Sequence, residues 1–127
     1  MNPNNQQKEK SVLIVEDDAA YRNLVISTLR NAGIHCAFCV TGDQAMKRLT
    51  QERFDLLIMD YLLPGPSAVD VLQWARLKGI NTPTLIVTNF PSDELRSKIK
   101  DLGHTHLMTK AVFDTESIPK VIEVMFE

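Results

Sequence analysis

The stretch "LLIMDYLLPG", residues 56–65, decides the fold of this chain. Four apolar residues run into the carboxylate of Asp60, and the chain then turns at Pro64 and Gly65. A carboxylate directly after a buried strand is costly to desolvate unless it lies at an open end or has partners. We therefore expect residues 56–59 to form a buried β-strand whose carboxyl end places Asp60 in an open site.

Four further apolar runs recur along the chain, and segments with helical spacing separate all five. In the first such segment, Tyr21, Leu24, Val25 and Thr28 follow the i, i+3, i+4, i+7 spacing of one helix face. Strands that are apolar on both faces and alternate strictly with helices favour a parallel sheet covered on both sides. The sequence predicts an α/β fold, a (βα)5 doubly wound domain with a five-stranded parallel sheet in order 2-1-3-4-5 and helices on both faces. The other four runs are "VLIV" (12–15), "CAFCV" (36–40), "TLIV" (84–87) and "HLM" (106–108).

The composition is that of one soluble globular domain, with 127 residues, 44% of them hydrophobic and 24% charged. The formal net charge of -2 gives no electrostatic reason to expect direct binding to nucleic acid or to a membrane. No apolar run approaches the ~20 residues that span a bilayer, and the start "MNPNNQQKEK" lacks the apolar core of a signal peptide. We expect residues 1–10 to be a disordered polar tail, residues 11–127 to be the folded domain, and the location to be cytoplasmic.

The "CAFC" segment, with Cys36 and Cys39, suggests a redox or zinc site that could include His104 and His106. In a strand, residues three apart face opposite sides of the sheet. The predicted order also places the cysteines on one edge strand and the histidines on the other, roughly 19 Å apart at about 4.8 Å per strand. Zinc ligands must lie within ~2.3 Å of the metal, so we interpret both cysteines as core residues.

The carboxyl ends of the central strands should bring several charged groups to one edge of the sheet. Strand 1 runs into the acids of "EDD" (16–18), strand 3 into Asp60, strand 4 into Thr88 and strand 5 into Lys110. Magnesium prefers oxygen ligands and would relieve the repulsion between clustered carboxylates, although the acidic run could also merely cap helix 1. A carboxylate beside a bound cation can attack phosphorus, and phosphoryl transfer then needs mainly positioning and charge neutralisation.

Four segments of the chain, taken in order and spacing, resemble the receiver domain of two-component response regulators. They are "VLIVEDDAAYR", "DLLIMDYLLPG", "TLIVT" and "LMTK", and the resemblance covers nearly the whole chain after residue 10. It implies a receiver domain at 11–127, a signalling phosphoacceptor and not an enzyme. Asp60 would accept a phosphoryl group from a sensor histidine kinase or phosphotransfer protein and thereby control a downstream effector. The implied magnesium-binding residues are Glu16, Asp17, Asp60 and the backbone carbonyl of Leu62, and the implied phosphoryl contacts are Thr88 and Lys110.

Several positions depart from the family pattern. The very small residue that usually follows the threonine is Asn89, the aromatic residue three before the lysine is Leu107, and the proline after the lysine is Ala111. In the family, that aromatic side chain moves inward together with the threonine on phosphorylation. Because Leu107 has no ring, we expect a change at Thr88 to reach the output surface without such an aromatic switch. We also expect a trans peptide bond after Lys110, since a cis bond outside X–Pro costs about 2.5–4 kcal/mol.

By the same resemblance, Leu62 and Phe90 flank the path of a water molecule that would hydrolyse the acyl phosphate. Neither side chain can hydrogen-bond to that water. The sequence therefore predicts a long-lived phosphorylated form.

Three other kinds of protein fit the sequence less well than a phosphoacceptor receiver. A pseudo-receiver is an interaction module with the fold but without phosphorylation, and Asn89 and Leu107 favour it. It is disfavoured by the retained Asp17, Asp60, Thr88 and Lys110. A haloacid-dehalogenase-type phosphatase would need a second aspartate where Leu62 stands. A flavodoxin would need a phosphate-binding loop where strand 1 runs into acids. The sequence ends directly after helix 5, which fits either a stand-alone regulator or a receiver taken from a longer protein.

Overall fold

The computed structural model describes residues 9–127, so most of the tail predicted at residues 1–10 lies outside the described part. Five strands alternate with five helices, which confirms the predicted (βα)5 arrangement. In chain order the elements are β1 (Ser11–Val15), α1 (Ala19–Asn31), β2 (His35–Cys39), α2 (Gly42–Gln51), β3 (Leu56–Asp60), α3 (Ala68–Leu77), β4 (Thr84–Thr88), α4 (Asp93–Lys100), β5 (Thr105–Thr109) and α5 (Ile118–Met125).

The five strands form one parallel sheet in the order β2-β1-β3-β4-β5, as the sequence predicts. In this register Val15 lies opposite Met59, and Asp60 lies opposite Val87. Neighbouring strands therefore end together, and the residues that follow them leave the sheet at one edge. This carboxyl edge is where the candidate site lies.

The hydrophobic core has two halves, one on each face of the sheet. Val12 and Ile14 of β1 pack with the buried side chains of α1 and α5. Leu13 and Val15, which point to the other face, pack with those of α2, α3 and α4. The alternation along β1 shows how a strand that is apolar on both faces is covered by helices on both sides.

The two cysteines are both free and buried, and they belong to different halves of the core. Cys36 packs with the α1 and α5 side, whereas Cys39 packs with the α2, α3 and α4 side. His106 lies on β5, the opposite edge strand, and His104 directly precedes that strand. The two cysteines and the two histidines therefore do not come together as ligands of one metal ion.

Local sequence signals fix the helix ends. Ser67 and Asp70 form a capping box at the start of α3, and Ser92 accepts a hydrogen bond from the N–H of Leu95 at the start of α4. Gly33, with a φ of 80°, follows α1 in the left-handed conformation that closes many helices. No helix within residues 9–127 is long and apolar enough to cross a membrane.

Arg76 in the last turn of α3 joins several segments at the amino edge of the sheet, opposite the candidate site. Within residues 9–127 its guanidinium donates hydrogen bonds only to uncharged oxygens, and burial lowers its pKa. The acceptors are the carbonyls of Ile80, Leu102 and Gly103 at 3.0–3.1 Å and the hydroxyls of Thr84 and Thr105 at 3.3–3.4 Å. This side chain thus ties the beginnings of β4 and β5 to the end of α3.

Candidate functional site

Three carboxylates meet at the carboxyl edge of the sheet. One oxygen each of Glu16, Asp17 and Asp60 lies within 4.8 Å of the others. The cause is the register of β1 and β3, which places the residues after Val15 and Met59 side by side. Glu16 is buried, Asp60 is half-buried and Asp17 is exposed. In the described part of the chain, no other group of three His, Cys, Asp or Glu side chains comes this close.

Asp18 does not take part in this cluster. Its Oδ1 accepts hydrogen bonds from the N–H groups of Ala20 and Tyr21, at 3.0 and 3.3 Å, and so caps α1. The capping alternative for the acidic run is therefore correct for Asp18. Glu16 has a different role, since its Oε2 accepts a hydrogen bond from the N–H of Asp18 at 3.1 Å and its other oxygen faces the site.

Lys110, one residue after β5, brings a positive charge into the acidic cluster. Its Nζ lies 2.8 Å from Oε1 of Glu16 and 3.6 Å from Oδ1 of Asp60. The closer contact is a charge-assisted ion pair between the ammonium and the buried Glu16 carboxylate. Burial disfavours the charge on Lys110, but the two carboxylates together raise its pKa above the ordinary value. The ammonium therefore stays charged at neutral pH.

Asp60 is destabilised as an anion by its surroundings. Burial, and then the negative charge of Glu16 and that of Asp17, raise its pKa to about 6, against the opposing effect of Lys110. A cation placed among these oxygens would remove much of the repulsion. Three carboxylates at an open sheet edge match the oxygen ligands that Mg²⁺ prefers, so the donor set fits this ion.

Thr88 reaches the same edge from β4. It follows Val87, the residue opposite Asp60 in the sheet, and its side chain is buried. The Thr88 hydroxyl accepts a hydrogen bond from the N–H of Phe90 at 3.2 Å, and its carbonyl accepts one from the N–H of Lys110 at 2.9 Å. The peptide bond between Lys110 and Ala111 is trans, as predicted.

The loops that follow β3 and β4 present apolar side chains to solvent. Leu62 is 67% exposed and Phe90 is 82% exposed, although both are large hydrophobic residues. Asn89 is also exposed, whereas Leu107, at the position of the missing aromatic residue, is half-buried in β5 opposite Ile86. The predicted site residues Glu16, Asp17, Asp60, Leu62, Thr88 and Lys110 thus all lie at this one edge of the sheet.

Two residues of α1 contact the site in a way that the sequence did not reveal. The ring of Tyr21 lies with its centroid 4.7 Å from Nζ of Lys110, and its hydroxyl donates a hydrogen bond to the carbonyl of Phe113. Arg22 donates a hydrogen bond to the carbonyl of Glu16 at 2.9 Å and stacks on Phe38 of β2. Periodicity placed Tyr21 in the apolar stripe of α1. The available signal was its polar hydroxyl, one turn after the acidic run.

Residues 12–123 match the response regulator receiver domain family, and the chain belongs to this family. It is 30% identical over 116 residues to the cell cycle transcriptional regulator CtrA of Caulobacter vibrioides. The aligned stretch covers 90% of this chain and 49% of that protein. It is 25% identical over 118 residues to the phosphate regulon transcriptional regulatory protein PhoB of Escherichia coli, covering 91% and 52%. The chain thus spans about half the length of these relatives.

The fold is also that of solved receiver structures. The chemotaxis response regulator CheY4 of Vibrio cholerae superposes with a TM-score of 0.84 at 27% identity, over 93% of this chain and 99% of that one. The strand order and the helices on both faces are therefore those of the chemotaxis-regulator-like, flavodoxin-like fold.

Proposed function

We propose that this chain is a phosphoacceptor receiver in which Asp60 takes a phosphoryl group from the phosphohistidine of a sensor histidine kinase or phosphotransfer protein. The observation that carries the proposal is the meeting of the Glu16, Asp17 and Asp60 carboxylates with the Lys110 ammonium at one open sheet edge. Membership of the receiver family supports it.

The transfer is a substitution at phosphorus. One Oδ atom of Asp60 forms the new O–P bond while the P–N bond of the phosphohistidine breaks, and the electron pair of that bond stays on the imidazole nitrogen. Lys110, whose ammonium is 3.6 Å from Oδ1 of Asp60, neutralises charge on the phosphoryl oxygens. The Thr88 hydroxyl is the second proposed donor to these oxygens.

Glu16, Asp17 and Asp60, with the backbone carbonyl of Leu62, are the residues that would hold Mg²⁺. A bound ion would supply positive charge that offsets the charge of the carboxylates and of the incoming phosphoryl group. Asp60 is already penalised as an anion, because burial and its acidic neighbours raise its pKa. Positive charge bound nearby would therefore stabilise the ionised form of Asp60, which is the form that attacks phosphorus.

The output of this chemistry is a change in protein contacts. A phosphorylated Asp60 carries more negative charge than the carboxylate and attracts Lys110 and Thr88. The resulting shift would alter the binding of a downstream effector protein or domain. We propose no direct contact of these residues with nucleic acid or membrane, and a cytoplasmic location stays a prediction.

The test is the intact mass of the protein after incubation with acetyl phosphate and Mg²⁺. We expect one added phosphoryl group, which is lost in Asp60→Asn and in the presence of a chelator. Asp101→Asn, which removes an exposed carboxylate directly after α4, is the matched control and should be labelled like the parent. Equal labelling of Asp60→Asn and the parent would contradict the assignment of Asp60.

A pseudo-receiver is the second candidate function. The observation that favours it is the exposure of Leu62 and Phe90 beside the acidic cluster, a feature expected of a surface that binds a partner. If this function is correct, neither acetyl phosphate nor a histidine kinase labels the chain. Partner binding is then the same for the parent and for Asp60→Asn.

A further inference from the structure

Tyr21 of α1 contacts both the side chain of Lys110 and the loop that follows it. The ring centroid lies 4.7 Å from Nζ of Lys110. The hydroxyl donates a 3.0 Å hydrogen bond to the carbonyl of Phe113, a fully buried residue in the segment between β5 and α5. One side chain therefore holds the lysine and the backbone three residues beyond it.

The lysine depends on such contacts because its own segment constrains it weakly. A lysine side chain has four rotatable bonds and loses much freedom when it is fixed. Ala111, which follows it through a trans bond, is exposed and lacks the ring that would restrict the backbone. The main-chain bond from Lys110 to Thr88 fixes the backbone but not the direction of the ammonium.

Three groups surround that ammonium: the Glu16 carboxylate, the Asp60 carboxylate and the face of the Tyr21 ring. The Lys110 side chain is only 12% exposed, so the contact with the ring is largely shielded from water. Shielding strengthens a cation–π interaction relative to one on an open surface. An aliphatic side chain could fill the same stripe of α1 but could not attract the charge.

We propose that Tyr21 is a positioning residue for phosphoryl acceptance, whose ring holds the Lys110 ammonium between Glu16 and Asp60 and whose hydroxyl fixes the loop after β5. This inference rests on the proposed function, because it assigns Tyr21 a part in the transfer through Lys110. The ring and the hydroxyl make separable contributions. Burial, followed by the charges of Glu16, Asp60 and Asp114, raises the pKa of Tyr21, so the hydroxyl keeps its proton and remains a donor.

The experiment measures the rate of labelling by acetyl phosphate with Mg²⁺ for Tyr21→Leu and Tyr21→Phe, each made in the parent and in Lys110→Met. In the parent, Tyr21→Leu should lower the rate by about three- to tenfold, the effect of losing one shielded cation–π contact. Tyr21→Phe keeps the ring and should stay within about twofold of the parent. In Lys110→Met, Tyr21→Leu should cause no further loss, since the two residues act as a unit.

A structural role for Tyr21 would give a different pattern. Val25→Ala, which truncates a buried side chain of the same helix, should destabilise the protein without slowing labelling. Thermal unfolding of each variant identifies those that are folded, and Tyr21→Met replaces Tyr21→Leu if the latter does not fold. Failure of the parent to be labelled would contradict the proposed function itself.

If the parent is labelled, the inference is overturned when Tyr21→Leu (or its replacement Tyr21→Met) is labelled as fast as the parent. It is also overturned when this substitution slows labelling by the same factor in Lys110→Met as in the parent. It is overturned as well if Tyr21→Phe is as slow as Tyr21→Leu, because the ring would then contribute nothing.

Discussion

Lys110 is held to Glu16, with 2.8 Å between Nζ and Oε1, while Oδ1 of Asp60 lies 3.6 Å from the same ammonium. In the structure the lysine is therefore the partner of a buried acid, beside the proposed phosphoacceptor Asp60. A phosphoryl group on Asp60 would offer it oxygens with more charge. The proposed transfer would therefore replace the ion pair between Lys110 and Glu16 with one between Lys110 and the phosphoryl group.

Glu16→Gln should weaken magnesium binding. The substitution removes one negative charge from the carboxylate cluster, and changes of this kind around a metal site commonly cost about tenfold or more in affinity. Isothermal titration calorimetry with MgCl₂ measures the effect. Glu123→Gln, which removes an exposed carboxylate of α5, is the control with the same charge change and should bind like the parent. Equal affinities for Glu16→Gln and Glu123→Gln would exclude Glu16 from the metal site.

Asp60→Asn should stabilise the metal-free protein at pH 7 by about 1 kcal/mol. The raised pKa of Asp60 sets an upper limit on this gain, and the partial exposure of the carboxylate to water reduces it. The reason is that the raised pKa, about 6, marks a carboxylate that is less stable in the folded state than in the unfolded one. Urea unfolding in the presence of a chelator measures the difference, with Asp101→Asn as the control.

The stability that Asp60→Asn gains over the parent should shrink as the pH falls. Between the unfolded pKa near 3.8 and the folded pKa near 6, the folded protein binds a proton that the unfolded chain does not bind. The parent therefore gains stability as the pH falls through about 6, and the advantage of Asp60→Asn shrinks towards pH 4. An advantage that grows as the pH falls would show that the Asp60 pKa is lowered and not raised.

Lys110→Met should destabilise the protein by about 3 kcal/mol, because it leaves the buried Glu16 carboxylate without a charged partner. Combining it with Glu16→Gln should recover most of that loss, since residue 16 then carries no charge that lacks a partner. Chemical denaturation of the four proteins gives the coupling energy directly. Lys120→Met, at an exposed position of α5, should have little effect on stability. A double variant as unstable as Lys110→Met alone would contradict the ion-pair argument.

Leu62→Asn combined with Phe90→Glu should shorten the lifetime of the phosphorylated form. Both parent side chains are exposed and apolar, and polar replacements can hold a water molecule that attacks phosphorus. Help of this kind can reach about 10²-fold in rate. The decay of labelled protein after removal of acetyl phosphate, with Mg²⁺ present, is the measurement. Leu77→Asn, an exposed leucine at the end of α3, is the control. Unchanged decay in the double variant would show that these side chains do not limit hydrolysis.

The sequence predicted the fold and the location of the site because both depend on local patterns. Runs such as residues 56–59 identify the strands, and the polar residue after each run marks the carboxyl edge. Once the strand order follows from the alternation with helices, Asp60, Thr88 and Lys110 must lie at the same edge. No knowledge of side-chain conformation is needed for this step.

The contacts within the site could not be predicted in the same way. Tyr21 bonds to a carbonyl 92 residues later in the chain, so periodicity in α1 contains no information about it. The preference of Lys110 for Glu16 over Asp60 depends on side-chain conformation and not on spacing. In α1 itself, the predicted stripe includes Leu24, which is 36% exposed, and omits Ile26, which is buried. The helix packs against β1, β2 and the neighbouring α5, and so buries a broader face than one stripe.

The hydrogen bonds of Arg76 have a mechanical consequence for signalling. They fasten the first residues of β4 and β5 together at one end, while the last residues of the same strands, Thr88 and Thr109, pair at the carboxyl edge of the sheet, where the proposed phosphoacceptor Asp60 lies. If phosphorylation draws Thr88 and Lys110 towards Asp60 while Arg76 holds the first residues of β4 and β5, the displacement increases along each strand. We therefore expect the response to phosphorylation to be a small rotation of these strands about Arg76, with the largest amplitude in the loops that carry Asn89 and Ala111.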